Sequence, residues 1–192
     1  MDVNAITPND SLVLGENDSE SIQNAISHAI SCGLNSITIP RKNIRTGGQV
    51  WEISKAILLP NNFTIILSNC HLRLVDGVYD NIFRNENVYS DNACKKEGTQ
   101  QGITIRGEGY AVLDGGKTNF LFENNYKTVD TGNVKAGMRV NNLILFHNVD
   151  GFVRENFEVR DMGRGTSRSQ GMETGRLVKE EGGGGKEKRE SV

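Results

Sequence analysis

Three histidines, three cysteines and a scatter of carboxylates are the groups in this 192-residue chain that could do chemistry. His28, His71 and His147 stand far apart, and none has a second ligand at metal-site spacing. Cys32, Cys70 and Cys94 form an odd set without a C-x-x-C, a poor disulfide framework and a poor zinc site. Cys94 precedes Lys95 and Lys96, cations that favour a thiolate, whereas the other two thiols read as idle. Asp76, Asp80 and Glu86 fall in a polar stretch. Calcium wants roughly six to eight oxygens in a cage, and three irregularly spaced carboxylates read instead as a solvated loop. Asn148-Val149-Asp150-Gly151 could present an acid at a corner, but acid–base catalysis needs a second positioned group, and no second Asp follows. The residues imply no metal, no cofactor and no catalytic set.

The elements that would position these groups change character along the chain. Ile22, Ala25, Ile26, Ala29 and Ile30 form one apolar stripe at helical spacing. Asn17-Asp18-Ser19 offers N-cap side chains, Glu20 completes a variant capping box, and Gly33 suits the left-handed position past the end. The pattern predicts a helix over about 18–32, with His28 on its polar side. Beyond it the period falls to two. Ser36-Ile37-Thr38-Ile39 is a short strand stopped by Pro40, and 51–59 stops at Pro60. Three later stretches repeat one form, a short strand, a tight corner and a second short strand, around Ile65, Ile105 and Leu145. Those three residues are spaced by 40 each time, so they are expected to stack in one column. Asn and Gly at the corners supply the positive φ of sharp bends. The stretches 77–100 and 117–140 read as loops. A parallel β-helix suits this pattern, with the helix covering the open apolar end of the first coil and Trp51 packed near it. An antiparallel sandwich would want hairpin signals between its strands.

Composition divides the chain in two. Residues 1–161 carry the helix and strands. Residues 162–192 include eight glycines and no aromatic, too little apolar surface to offset the entropy of ordering, so this segment is expected to be disordered. A net charge of −2 argues against a general electrostatic grip on nucleic acid or an acidic membrane. No apolar run approaches a membrane span, and the start shows no secretory signal, which gives a cytoplasmic expectation.

Several segments resemble the pectin-lyase-like right-handed β-helices. Residues 18–26, DSESIQNAI, look like their capping helix; Ser36 to Pro40 resembles the strand that follows; Ile57 to Ile65, ILLPNNFTI, resembles the passage into the first full coil. Gly107 to Gly116, GEGYAVLDGG, resembles a corner motif most at home in glycoside hydrolase family 28, the polygalacturonases and their relatives. Residues 142–161 look like the next coil. The resemblance covers roughly 10–161. It implies an all-β, right-handed parallel β-helix with an N-terminal capping helix, incomplete at its C-terminal end.

The resemblance also implies chemistry that this chain does not carry. The family uses N-x-D, an adjacent D-D pair, G-H-G and R-x-K on later coils. Inverting hydrolysis needs two carboxyl groups about 6.5–9.5 Å apart. There is no D-D pair, no histidine lies between glycines, and Lys186-Glu187-Lys188 falls in the tail. Asp114, Asp150 and Asp161 fall at corners by the motif and inherit no catalytic role. The expectation is therefore the N-terminal part of a family 28-like enzyme acting on pectic or related polysaccharide, inactive as it stands, as from a truncated or frameshifted reading frame. A non-catalytic β-helix module with a carbohydrate-binding or structural, phage-fibre role is the alternative.

Overall fold

The computed structural model describes residues 5–78, 80–87, 98–117, 119, 143–160 and 169–170. One helix, α1 (Asp18–Ser31), precedes a series of short strands. A first circuit runs through β1 (Ser36–Pro40), β2 (Val50–Ile53) and β3 (Ile57–Leu59). The second runs through β4 (Thr64–Ser68), β5 (His71–Leu74) and β6 (Phe83–Asn85). After β7 (Gln100–Gln101), the third takes β8 (Thr104–Glu108), β9 (Val112–Asp114) and β10 (Ile144–His147). After β11 (Val149–Asp150), the fourth takes β12 (Val153–Glu155), β13 (Glu158–Arg160) and β14 (Ser169–Gln170).

Every pairing is parallel. Three four-stranded sheets each take one strand per circuit: β1-β4-β8-β12, β2-β5-β9-β13 and β3-β6-β10-β14. β7 and β11 form a two-stranded sheet of their own. The described residues therefore form an all-β, parallel fold with one helix. Alternation sends every second side chain inward, and registered strands stack these into columns. Ile37, Ile65 and Ile105 make one column and Trp51, Leu72 and Leu113 another, all fully buried. The Trp51 indole N–H donates to the Pro40 carbonyl at 2.7 Å.

The 40-residue spacing marks one circuit only once. Ile65 pairs with Ile105, but Leu145 lies in the third sheet, opposite Arg84. The residue opposite Ile105 is Arg154. The reason is the long stretch between β9 and β10. It fills the second interval of 40 with only part of a circuit. Ser169 and Gln170 pair with β10, inside the segment expected to be disordered; the rest of 161–192 lies outside the described residues.

The corners need left-handed backbone. Asn69, Gly109 and Asn156, between the first and second sheets, have φ of 49°, 69° and 60°. Asn62, Gly102 and Gly151, leading into the first sheet, have φ of 52°, 65° and 67°. At Gly109 a Cβ would also lie 2.2 Å from the Asn69 Oδ1, so that corner excludes a side chain twice over.

Helix α1 begins as its residues dictate. The Asn17 Oδ1 accepts from the Glu20 N–H at 2.9 Å, and the Glu20 carboxylate reaches back to the Glu16 N–H. Ile22, Ala25, Ile26 and Ala29 are buried against β1, β2 and β3. Polar side chains on the same helix meet the strand backbones. Asp18, fully buried, accepts from the Glu52 N–H at 2.7 Å and from the Arg45 Nε at 2.8 Å. The Ser19 Oγ accepts from the Ser54 and Lys55 N–H groups. The Gln23 amide both accepts from the Leu58 N–H at 2.8 Å and donates to its carbonyl at 3.3 Å. The helix thus supplies what a preceding strand would have supplied. We expect Asp18→Ala to lower unfolding free energy by about 2–3 kcal/mol, because it strands a buried N–H and a guanidinium together. Ser27→Ala, on the exposed side, should stay within about 0.5 kcal/mol in the same urea titration.

Candidate functional site

The densest set of chemically capable side chains lies on the outer side of the second sheet. Register builds it. Trp51, Leu72 and Leu113 point inward, so their neighbours point outward. This aligns Glu52, Arg73, Asp114 and Arg160 in one row across β2, β5, β9 and β13, with alternating charge. His71 stands in the adjacent row, opposite Val50 and Val112. Its Nε2 lies 3.1 Å from the Asp114 Oδ2. The other Asp114 oxygen accepts from the Gly116 N–H at 2.8 Å.

The carboxylates here hold corners. Asp76 accepts from Arg73 at 3.1 Å and from the Lys117 N–H at 2.9 Å. The Asn119 amide donates to the Val75 and Gly115 carbonyls. Gly116, at φ 72°, sits where a Cβ would lie 2.7 Å from the Leu74 carbonyl oxygen. The Asp114 corner therefore ties the third circuit to the second. At the sheet's end Arg160 bonds Glu158 at 2.6 Å and the Tyr110 hydroxyl, with its guanidinium over the Tyr110 ring. The Arg160 hydrogen bond holds the Glu158 carboxyl below its ordinary range, and Glu158 in turn holds the Arg160 guanidinium above its own. On the outer side of the first sheet Arg106 pairs with Glu155.

Asp80 departs from the solvated-loop expectation. It is buried, accepts from the Ala56 N–H at 3.1 Å and the Asn81 N–H at 2.8 Å, and pairs with Arg84 at 3.3 Å. Arg84 shares its register with Leu58 and Leu145. Burial pulls the Arg84 guanidinium below its ordinary value, and Asp80 partly opposes that pull. Sequence spacing did not reveal this pair; the i, i+4 relation of Asp80 and Arg84 next to the apolar Ile82-Phe83 was the available signal. Glu86 is exposed. Asp150 is exposed on β11, whose backbone carbonyl takes the Gly102 N–H, and it belongs to a different sheet from Asp114.

Inside the fold, Asn85, Gln100 and the His147 backbone form a buried polar chain. The Asn85 amide donates to the Gln100 Oε1 at 2.7 Å and to the His147 carbonyl at 3.0 Å, and its oxygen accepts from the His147 N–H. Burial lowers the His147 ring below its ordinary value. His28 lies on the helix with its Nε2 3.8 Å from the Cys32 Sγ. Cys94 and Asp161 lie outside the described residues. Among those described, no three His, Cys, Asp or Glu side chains converge on a metal position.

Comparison with protein-family models, with curated proteins and with solved structures finds no match. The chemistry must therefore be argued from the geometry alone. Three charges of the outer row are each met by a partner outside it, Arg73 by Asp76, Asp114 by His71 and Arg160 by Glu158, and the His71–Asp114 contact ties two circuits together. Asp114→Ala should lower stability by about 1–3 kcal/mol, since it frees the Gly116 N–H and the His71 ring together; thermal unfolding checks this. The two described thiols should separate cleanly. Cys32 is exposed, whereas burial pushes the Cys70 thiol up to about 12. Iodoacetamide at pH 8 should label Cys32 in the native chain and reach Cys70 only after denaturation, as read by mass spectrometry of the peptides.

Proposed function

We propose that this chain is part of a family 28-like, polysaccharide-degrading protein with a right-handed parallel β-helix, and that residues 1–192 alone do not hydrolyse polysaccharide. One observation carries the reading: the chain visits three parallel sheets in a fixed order, and the Asp114-Gly115-Gly116 corner, the segment most like that family, meets the circuits on either side through His71 and the Arg160 carbonyl. Right-handedness accords with the rule that crossovers between parallel strands of one sheet turn that way. The helix with its Asp18, Ser19 and Gln23 contacts supports the capping role that the resemblance implies.

The inactivity follows from how the carboxylates are used. Hydrolysis with inversion needs an acid and a base facing one bond, about 6.5–9.5 Å apart. Asp114 has one oxygen on a backbone N–H and the other on His71, and Asp150 belongs to another sheet. A non-catalytic carbohydrate-binding role is favoured by one feature, the exposed Tyr110 ring beside Arg160 on the outer side of the second sheet. Incubation of the purified chain with polygalacturonate should release no reducing ends above a buffer blank. Turnover that disappears in Asp150→Asn would overturn the inactive reading and make Asp150 a catalytic acid. Oligogalacturonide binding without turnover, weakened by Tyr110→Ala, would support the binding role over the fragment reading.

A further inference from the structure

The capped end of the stack carries apolar side chains that the core does not use. Leu12 is 83% exposed, Ile44 57% and Leu14 43%. Between the two leucines Val13 is buried, and its carbonyl takes the Asn24 amide of α1. One anchored residue thus holds two leucines out in solvent. Ile44 belongs to the same patch, because both ends of 9–16 are tied to 42–45. At one end the Asn9 side chain accepts from the Ile44 N–H at 2.9 Å and donates to the Lys42 carbonyl at 2.7 Å. At the other, Arg45 donates to the Glu16 carbonyl at 3.5 Å and pairs with Asp18. The remaining exposed large apolar side chains among the described residues, Ile30, Tyr110 and Val159, lie on α1, at the β8–β9 corner and on β13.

Charge of opposite sign brackets the patch. Arg41 and Lys42, both exposed, stand at the Asn9 end. Glu16 and Glu20, both exposed, stand at the Arg45 end, where the Glu20 carboxylate takes the Glu16 N–H. Among the described residues neither Lys42 nor the Glu16 carboxylate is in an ion pair, whereas Asp18 matches Arg45. Asp10, next to Asn9, is engaged within its own turn by the Thr7 N–H and hydroxyl. A cation at one end, an anion at the other and aliphatic groups between them make a surface complementary to itself.

We propose that this face joins two copies of the chain about a two-fold axis, with Leu12, Leu14 and Ile44 at its centre and Lys42 of each copy paired to Glu16 of the other. The axis forms the ion pair twice and takes six aliphatic side chains out of water. The capped end suits such a contact. Asp18, Ser19 and Gln23 already take strand backbone groups there, so the copies meet through side chains alone, and an isologous pair closes instead of growing into a fibre. Three aliphatic side chains per copy make a small interface, near or below the roughly 1,200 Å² of stable complexes, so the dimer is weak and reversible.

Sedimentation equilibrium on the full 192-residue chain tests this. The chain should be monomeric at about 1 μM and largely dimeric at about 100 μM. Leu12→Ser together with Ile44→Ser should raise the dissociation constant at least about tenfold and leave the melting temperature of the dilute monomer unchanged, since both side chains are exposed. Lys42→Glu and Glu16→Lys should each weaken association by about tenfold, and the double swap should restore it. If the double serine variant unfolds, the charge reversals still decide. A chain that stays monomeric at 100 μM, or a dimer that survives the serine substitutions, would overturn the proposal. So would a dimer abolished by Val159→Ser, which would place the contact at the opposite end of the stack. Binding of a monomeric chain to phosphatidylserine vesicles would overturn it too and make a lipid surface the occupant.

Discussion

A stack of parallel strands contains no hairpin to close it, and this one constraint governs the molecule. Each strand satisfies its backbone groups only through the strands before and after it in the stack. Interior circuits do this without special residues. The ends cannot, and a bare parallel edge is both costly and adhesive. At the N-terminal end the answer is a helix whose inner face is not purely apolar. Ile22, Ala25, Ile26 and Ala29 cover the columns, while Asp18, Ser19 and Gln23 take the backbone groups of Glu52, Ser54, Lys55 and Leu58. The Thr38 N–H, on the first strand, is taken by the Ile6 carbonyl. Burying Asp18 is tolerable because each of its oxygens has a partner and Arg45 balances its charge.

Parallel stacking also decides which residues can sit at the corners. A corner repeated at every level must repeat its backbone conformation, so left-handed residues themselves form columns: Asn69, Gly109 and Asn156 in one, Asn62, Gly102 and Gly151 in the other. Each column mixes Asn and Gly because each solves part of the problem. Glycine yields space, and asparagine fills it with a hydrogen bond, as where the Asn69 Oδ1 accepts the Tyr110 N–H above Gly109.

Much of this was legible in the sequence. The helix could be read because its stripe, its Asn17 cap and its terminal Gly33 are all local signals. The corners could be read because positive φ narrows the choice of residue. The error at Leu145 has a different origin. A repeat length is informative only when each interval holds a whole circuit, and the stretch between β9 and β10 filled an interval with part of one. Asp80 was misread because a polar neighbourhood in sequence says nothing about what folds over it; its burial depends on Arg84 and the Ala56 N–H. The His71–Asp114 contact spans 43 residues and follows only from register.

The lengths of the connections show where such a scaffold can vary. Between the first and second sheets the later circuits turn within two or three residues, at 69–70, 109–111 and 156–157. Between the second and third sheets the connections grow from 54–56 to 75–82 and then to 115–143. The first corner is fixed by backbone hydrogen bonds that pass from one level to the next, such as the Asn69 N–H to the Glu108 carbonyl. An insertion there would break the column above and below. The second is clamped at its root, where Asp76 takes the Lys117 N–H and the Asn119 amide reaches the Val75 carbonyl of the preceding circuit. The connection that starts there is the longest of the three. At that root the Gly116 N–H and the His71 ring take both oxygens of Asp114, so structural contacts alone account for its placement.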